Sequence, residues 1–225
     1  MANFLSVCHK SLSENQINEV VQIYNDRLLN DMTRDASLKA LAKITSNGQQ
    51  IQITNLAILI PRMFDLLHKA MRTIHLNTLE AMVAMIQRYP QQFQAKANDI
   101  VKELWGFVKD EDMQASALAL RVAIPSIQIT NPASPEVQEF ITRAAILTKS
   151  PLIQGQQMLV RELLDFFQAA AQVGAVQQKT LAELFGYVSI ATQAAAKAYA
   201  RAAFFNKDGS KKNTIINDMN GMIAQ

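Results

Sequence analysis

Residues 148–174 read TKSPLIQGQQMLVRELLDFFQAAAQVG, the turn and second helix of a helical hairpin. Ser150 is a good N-cap, because a serine oxygen accepts an otherwise orphaned backbone N–H. Pro151 suits the first turn of a helix, where its missing N–H has no intrahelical partner to lose. Leu152, Leu159, Leu163, Phe166 and Phe167 recur at three- and four-residue steps, the spacing of one helical face. Gly174 closes the helix, since glycine takes the left-handed conformation a C-terminus demands. No catalytic group stands in the stretch, so it is a packing unit.

Similar units fill the rest of the chain. Glu14–Asn30 pairs with Met32–Ile44: Ile17, Val20, Val21, Tyr24 and Leu28 form one apolar face, and Leu38, Leu41 and Ile44 the next. Ile53–Lys69 pairs with Ile74–Tyr89. There Ile58, Met63, Leu66 and Leu67 face inward, as do Leu76, Leu79, Met82, Val83 and Ile86, until Pro90 stops the helix. Pro61 is expected to interrupt and kink the first of these helices. Ala97–Val108 pairs with Met113–Ile124 through the acidic turn 109–112, and Ser126–Pro135 is a proline-bearing loop. Glu136–Leu147 precedes the opening stretch, Val176–Val188 pairs with Thr192–Phe205, and Thr214–Ala224 begins a further helix after the turn Asn206–Asn213.

Leu38, Leu79, Leu118 and Met158 overlay at separations of 41, 39 and 40 residues. A period near 40 in helix pairs is the signature of HEAT or armadillo repeats. A lone pair cannot bury its apolar face, but stacked pairs share a continuous core. The expected fold is therefore all-α: an α-solenoid of about five hairpins in a right-handed superhelical stack with uncapped ends. The hairpins run over 14–46, 53–90, 96–126, 135–174 and 175–205, with 206–225 starting another, so 1–225 is one array. A generic helical bundle is the competing architecture. Missing polar caps imply a piece of a longer array that self-associates through its ends.

Totals narrow the function. Of 225 residues, 49% are hydrophobic and 18% charged, which suits a folded core. Twenty-two basic residues against 19 acidic give a net charge of +3, too balanced to favour nucleic acid or a membrane surface. The longest uncharged run, 44–61, contains Ser, Asn, Gly and three Gln and is no membrane span. The start, MANFLSVCHK, is no secretory signal. Cys8 is the single cysteine, so no internal disulfide forms and a cytosolic or nuclear setting fits.

A search for chemistry returns none. His9, His68 and His75 lack metal-ligand spacing and read as surface or helix-end histidines. Cys8 reads as a buried thiol. Asp110, Glu111 and Asp112 read as the N-terminal charge of the following helix rather than a catalytic pair. Asp208-Gly209 lacks the alternating oxygens of a calcium loop. Trp105 and the phenylalanines read as core, as do Met82, Met85 and Met158, while Lys211 and Lys212 are solvated. No catalytic, cofactor or metal residue is assigned, and partner-binding residues stay unassigned. The residues describe a non-enzymatic interaction scaffold.

Four stretches carry a family resemblance. Gln22–Ile44 holds an R-L-x-N-[DE]-x-T-R core at Arg27–Arg34. Thr73–Phe93 holds L-x-T-L and a closing tyrosine. Asp110–Leu120 is an acidic turn followed by M-x-x-S-x-x-x-L. Ser150–Gly174 holds S-P-L-x-Q-G and L-x-x-F-F-Q-A. Together they resemble the central part of the cullin-associated, neddylation-dissociated proteins, HEAT-repeat regulators of cullin–RING ubiquitin ligases. The resemblance departs at SIATQAAAKAYARAAFF, residues 189–205, where the family has an S-I-A-K-C-type helix after a longer connection; a divergent eukaryotic source is implied.

The resemblance implies a scaffold that binds cullin lacking the ubiquitin-like modifier, together with its RING subunit. Such a scaffold competes with the receptor adaptor and exchanges substrate-receptor modules, with no cofactor, nucleic acid, membrane or small-molecule substrate, in cytoplasm and nucleus. Gly155 is expected to allow close helix approach, and turn residues such as Asp110, Glu111 and Lys211 read as solvated rather than cullin-touching. Rival readings are a karyopherin-like transport receptor, which lacks a long acidic loop here, a phosphatase-type scaffold of more regular repeats, and an all-helical enzyme without a candidate cleft.

Overall fold

The structure, a computed structural model, describes residues 13–46 and 53–176, apart from the side chain of Gln154. The expectations for Cys8, His9, the fifth hairpin, Asp208, Lys211, Lys212 and the last helix lie outside the described residues.

The described residues build an all-α solenoid in two layers. One layer holds α1 (Glu14–Leu29), α3 (Ile60–Leu67), α6 (Ala97–Glu103) and α8 (Pro135–Leu147). The other holds α2 (Arg34–Ser46), α4 (Arg72–Arg88), α7 (Met113–Gln128) and α9 (Gln157–Gln172). A one-turn helix, α5 (Pro90–Phe93), links α4 to the third hairpin. Helices α2, α4, α7 and α9 pack closely against one another in sequence, and their partners touch less. The closer-packed layer is the inner layer and the other the outer layer.

Local sequence starts and stops these helices. Ser13 and Gln16 form a reciprocal capping box on α1: Oε1 of Gln16 accepts the Ser13 N–H at 2.8 Å. Ser134 and Asp112 cap α8 and α7 through Val137 and Ala115 N–H. Gly174, at φ 72°, closes α9 in a Schellman motif. Its N–H donates to Ala171 O at 3.2 Å, and Ala175 N–H donates to Ala170 O at 2.8 Å.

The buried register refines the repeat. Leu41, Met82, Ala123 and Leu163 are all at most 3% exposed, at separations of 41, 41 and 40. Thr45, Ile86, Ile127 and Phe167 repeat the spacing one turn on, all buried. The expected row through Leu118 and Met158 is out of register at its end. Met158 is 57% exposed, and its neighbour Leu159 is the buried residue.

Four other expectations change. Pro61 does not interrupt a helix: a 3-10 turn, Leu56–Leu59, precedes α3, and Pro61 lies in the first turn of α3. Proline has no N–H to forfeit there. The shift from 3-10 to α leaves Ile58 42% exposed, whereas Met63, Leu66 and Leu67 are buried. Helix α7 continues through Pro125 to Gln128, beyond the expected loop start at Ser126. Pro125, Ser126 and Ile127 are all buried, and the Ser126 hydroxyl donates to Val122 O at 2.8 Å, so packing outweighs one missing backbone bond. Finally, Ser150 and Pro151 open a separate 3-10 turn, Pro151–Gly155, and α9 begins only at Gln157. Leu152 therefore points away from the α9 face and is 59% exposed.

Candidate functional site

The matched motifs fold into turn locks. Arg34 is buried at the head of α2, and its Nε donates to Leu28 O at 3.0 Å and its Nη2 to Leu29 O at 3.3 Å. A guanidinium thus ties the last carbonyls of α1, where positive charge is favoured. It also pairs with exposed Asp31, while the Thr33 hydroxyl donates to Arg27 O at 2.9 Å. Ser116 does the equivalent job in the third hairpin: its hydroxyl lies 2.6 Å from Phe107 O and accepts Lys109 N–H at 3.1 Å. The R-L-x-N-[DE]-x-T-R and M-x-x-S motifs are accordingly structural.

Gly155 is not a close-approach glycine. A Cβ there would meet nothing within 4 Å.

The acidic turn divides by role. Asp112 accepts Nε and Nη2 of Arg72, from the head of α4, at 2.5 and 2.9 Å. These bonds hold its carboxyl below the ordinary 3.8, with the backbone N–H of Ala115 helping. Asp112 is therefore a cap and an inter-hairpin tie. Glu111 lies 3.3 Å from Lys109 and stays exposed.

The histidines part company. His68 at the end of α3 meets Glu103 of α6, with Nε2 to Oε2 at 2.9 Å. His75 faces the Lys69 carbonyl through Nε2 and packs edge-on against Phe107 at 5.4 Å. Glu103 comes from the next hairpin, so no local spacing could have shown its pairing with His68. Among the described residues no group of three or more His, Cys, Asp or Glu could hold a metal. Trp105 is half-buried and braces the outer layer: Nε1 donates to Glu136 O at 3.1 Å, and Arg143 lies over the ring at 5.5 Å.

One surface open to a partner is the inner layer. Helix α7, MQASALALRVAIPSIQ, is rich in small residues, which lets α4 and α9 close over its flanks. Every residue from Ala115 to Leu120 is buried, and only Gln114, Arg121 and Gln128 are exposed along it. Those three stand seven residues apart, on one stripe. The result is a trough that runs across the inner layer, from α2 over α4 and α7 to α9. Two adjoining cavities, about 450 and 520 Å³, lie along it and share Gln87 and Arg121. The first lies between α2, α4 and α7 and the second between α4, α7 and α9; beside Leu118, Ile124 and Met158 their charged lining is Glu80 and Arg88 of α4, Arg121 of α7, and Arg161, Glu162 and Asp165 of α9.

Charge in the trough is loosely held. Arg121 and Glu162 approach only to 3.8 Å, and Arg161 and Asp165 to 4.0 Å. Burial raises the Glu162 carboxyl above its ordinary 4.5, with Arg121 opposing the rise. Among the described residues Glu80 makes no ion pair. The signal for this surface was present in the sequence as an alanine-rich helix with polar residues every seventh place, but only stacking reveals its walls.

No family model matches the chain. Cullin-associated NEDD8-dissociated protein 1 of Drosophila melanogaster is 26% identical over 162 residues, which is 71% of this chain and 13% of that protein. The Arabidopsis thaliana protein of the same name is 28% identical over 151 residues, 64% of this chain and 12% of its own length. The chain thus resembles these proteins over most of its length while spanning about an eighth of theirs. Among the described residues no helix is long and apolar enough to cross a membrane.

Proposed function

We propose that this chain is a segment of a non-enzymatic, cullin-regulating scaffold, one array of helical hairpins over residues 1–225. In this reading the parent protein binds a cullin–RING ligase whose cullin lacks the ubiquitin-like modifier and promotes exchange of substrate-receptor modules, in cytoplasm and nucleus. The observation that carries it is the likeness to two relatives named as cullin-associated and NEDD8-dissociated, from an animal and a plant. The turn locks at Arg34, Ser116 and Gly174 account for the motifs behind the resemblance as parts of the hairpin stack.

The mechanism is coupling rather than bond chemistry. Two large partners that fit one scaffold poorly together weaken each other's binding reciprocally, so each can displace the other. A stack of hairpins suits this, because small changes at each interface add along a long inner surface.

The test is a pull-down of the complete parent protein with purified cullin–RING complexes, with and without the modifier attached. Binding confined to unmodified cullin, and faster receptor exchange on addition of the scaffold, is the expected result. Equal or absent binding in both states refutes it. A nuclear-transport GTPase on the same beads then tests the karyopherin-like alternative.

A further inference from the structure

We propose that the joint between the second and third hairpins is the hinge of the stack: two polar bridges, rather than close packing, hold its outer side and turn edge shut, and it opens when they are screened or cut. The inference goes beyond the function proposed above and stands without it.

Packing marks the joint. In the outer layer α6 and α8 press closely together and α1 meets both α3 and the 3-10 turn before it, whereas α3 and α6 scarcely touch. Both of these helices are short, eight and seven residues. In the inner layer α4 and α7 pack less closely than α2 with α4 or α7 with α9, although their contact is still extensive. Each hairpin of a solenoid touches only its neighbours, so contact at each joint is what resists bending there. The joint with the thinnest outer contact is the one that gives, and the apolar seam between α4 and α7 is its pivot.

Side-chain chemistry marks the same joint. His68, at the end of α3, lies 2.9 Å from Glu103 at the end of α6, Nε2 to Oε2. Arg72, at the head of α4, holds Asp112 side-on through Nε and Nη2 and reaches Gln114 Oε1 at 3.2 Å. The side chains of His68 and Arg72 are 69% and 58% exposed, so water and ions reach both bridges. Salt weakens charge in such a place and leaves apolar packing intact. The neighbouring joints are closed in the outer layer by neutral bonds. At the first, the Thr54 hydroxyl donates to Asn18 Oδ1 at 2.6 Å. At the third, Trp105 Nε1 donates to Glu136 O, and the Thr130 and Ser134 hydroxyls donate to Asn98 Oδ1.

Packed helices stand about 10 Å apart, so a rotation of about 20° about the inner pivot parts α3 from α6 by about 3–4 Å. The first two hairpins then move against the next two as blocks, a hinge motion.

Spin-label distances test this in the full chain with Cys8→Ser. Asp65→Cys with Lys102→Cys spans the second joint, Ile23→Cys with Asp65→Cys the first, and Lys102→Cys with Ile146→Cys the third; all four positions are exposed. Between about 0.01 and 1 M NaCl the screening length falls from about 30 to about 3 Å. Over that range the second-joint distance is expected to broaden and lengthen by about 3 Å while the other two hold. Arg72→Gln combined with Glu103→Gln is expected to be open already at low salt and to lose the salt response, with Arg72→Lys in between. A second-joint distance no more sensitive to salt than the others overturns the proposal, as does a double variant that keeps the wild-type distance at low salt. Widening of all three joints together overturns it too, because that is general loosening and not a hinge.

Discussion

Replacing Arg34 tests whether the first turn motif is structural. The residue is 8% exposed, and its guanidinium donates to two carbonyls at the end of α1. Leu28, which offers one of them, is 1% exposed, so its carbonyl finds no ready water when the donor goes. A hydrogen bond to a charged group contributes about 1.5–3 kcal/mol. Leu29 is 54% exposed and its carbonyl can be rehydrated, so the second bond adds about 0.5 kcal/mol. The Asp31 partner is 86% exposed and contributes little. Arg34→Met keeps the stem, removes the donors, and should cost about 2–3.5 kcal/mol. Arg34→Lys keeps the charge without the fork and should recover about half of that. Repeat arrays open from their ends in pieces, so a global melt is the wrong assay. Hydrogen exchange of α1 and α2 amides should be faster by roughly thirtyfold or more in Arg34→Met. Protection equal to wild type, or an Asp31→Ala variant as damaged as Arg34→Met, would refute the lock.

Four further outcomes are expected. Thr78 is fully buried and its hydroxyl has no hydrogen bond, so Thr78→Val should stabilise by about 1 kcal/mol, read as a higher Tm. The same change at Thr45, whose hydroxyl donates to Leu41 O at 2.8 Å, should destabilise by about 0.5–1 kcal/mol. Asp112 titrates below its ordinary 3.8 because Arg72 holds its charged form; that stabilisation is present above about pH 4 and is lost as pH falls through the depressed folded value. The Tm difference between wild type and Asp112→Asn should therefore close on acidification. Glu162 has the opposite sign: burial raises it above 4.5 against Arg121 and Arg161, with Asp165 adding to the rise, so its favourable contribution lies at low pH and fades as pH climbs. Glu162→Gln should gain stability relative to wild type at neutral pH, and the gain should vanish in acid.

Periodicity made the hairpins legible because burial repeats with the helix. Ile17, Val21, Tyr24 and Leu28, or Leu163, Phe166 and Phe167, announce their faces directly. What periodicity lost was phase and boundary. Met158 and Leu159 are both apolar neighbours, and only stacking decides which one meets α7. Pro61 and Pro125 each carry the same local meaning, a missing N–H. One lies in a first helical turn where nothing is lost, and the other is sunk in a packed layer that tolerates the loss. Counting α-helical steps puts Ile58 and Leu152 on apolar faces, but both lie in segments wound as 3-10 turns, where the count differs. The pairs His68–Glu103 and Arg72–Asp112 join different hairpins, so no local window contains them.

The residues that carry the resemblance and the residues with capacity to bind are different sets, and the reason is physical. Arg34, Ser116 and Gly174 each satisfy backbone groups that a helix terminus leaves orphaned, a requirement every hairpin of this geometry shares whatever it binds. Such positions report the shape of the stack. Arg121, Arg161, Glu80 and Met158 satisfy no backbone group, and several are poorly satisfied themselves, so the fold alone gives no reason for their identity. A side chain whose chemistry the fold does not need is where a partner's demands can be read. The alanines of α7 link the two sets. By being small they draw α4 and α9 together, which stabilises the stack, and by the same closeness they sink the floor that makes the trough. Enlarging one of them, Ala119 or Ala123, would therefore strain the core and raise the floor together. Such variants cannot separate folding from binding, whereas changes at Ala84 and Arg121, on the trough surface, can.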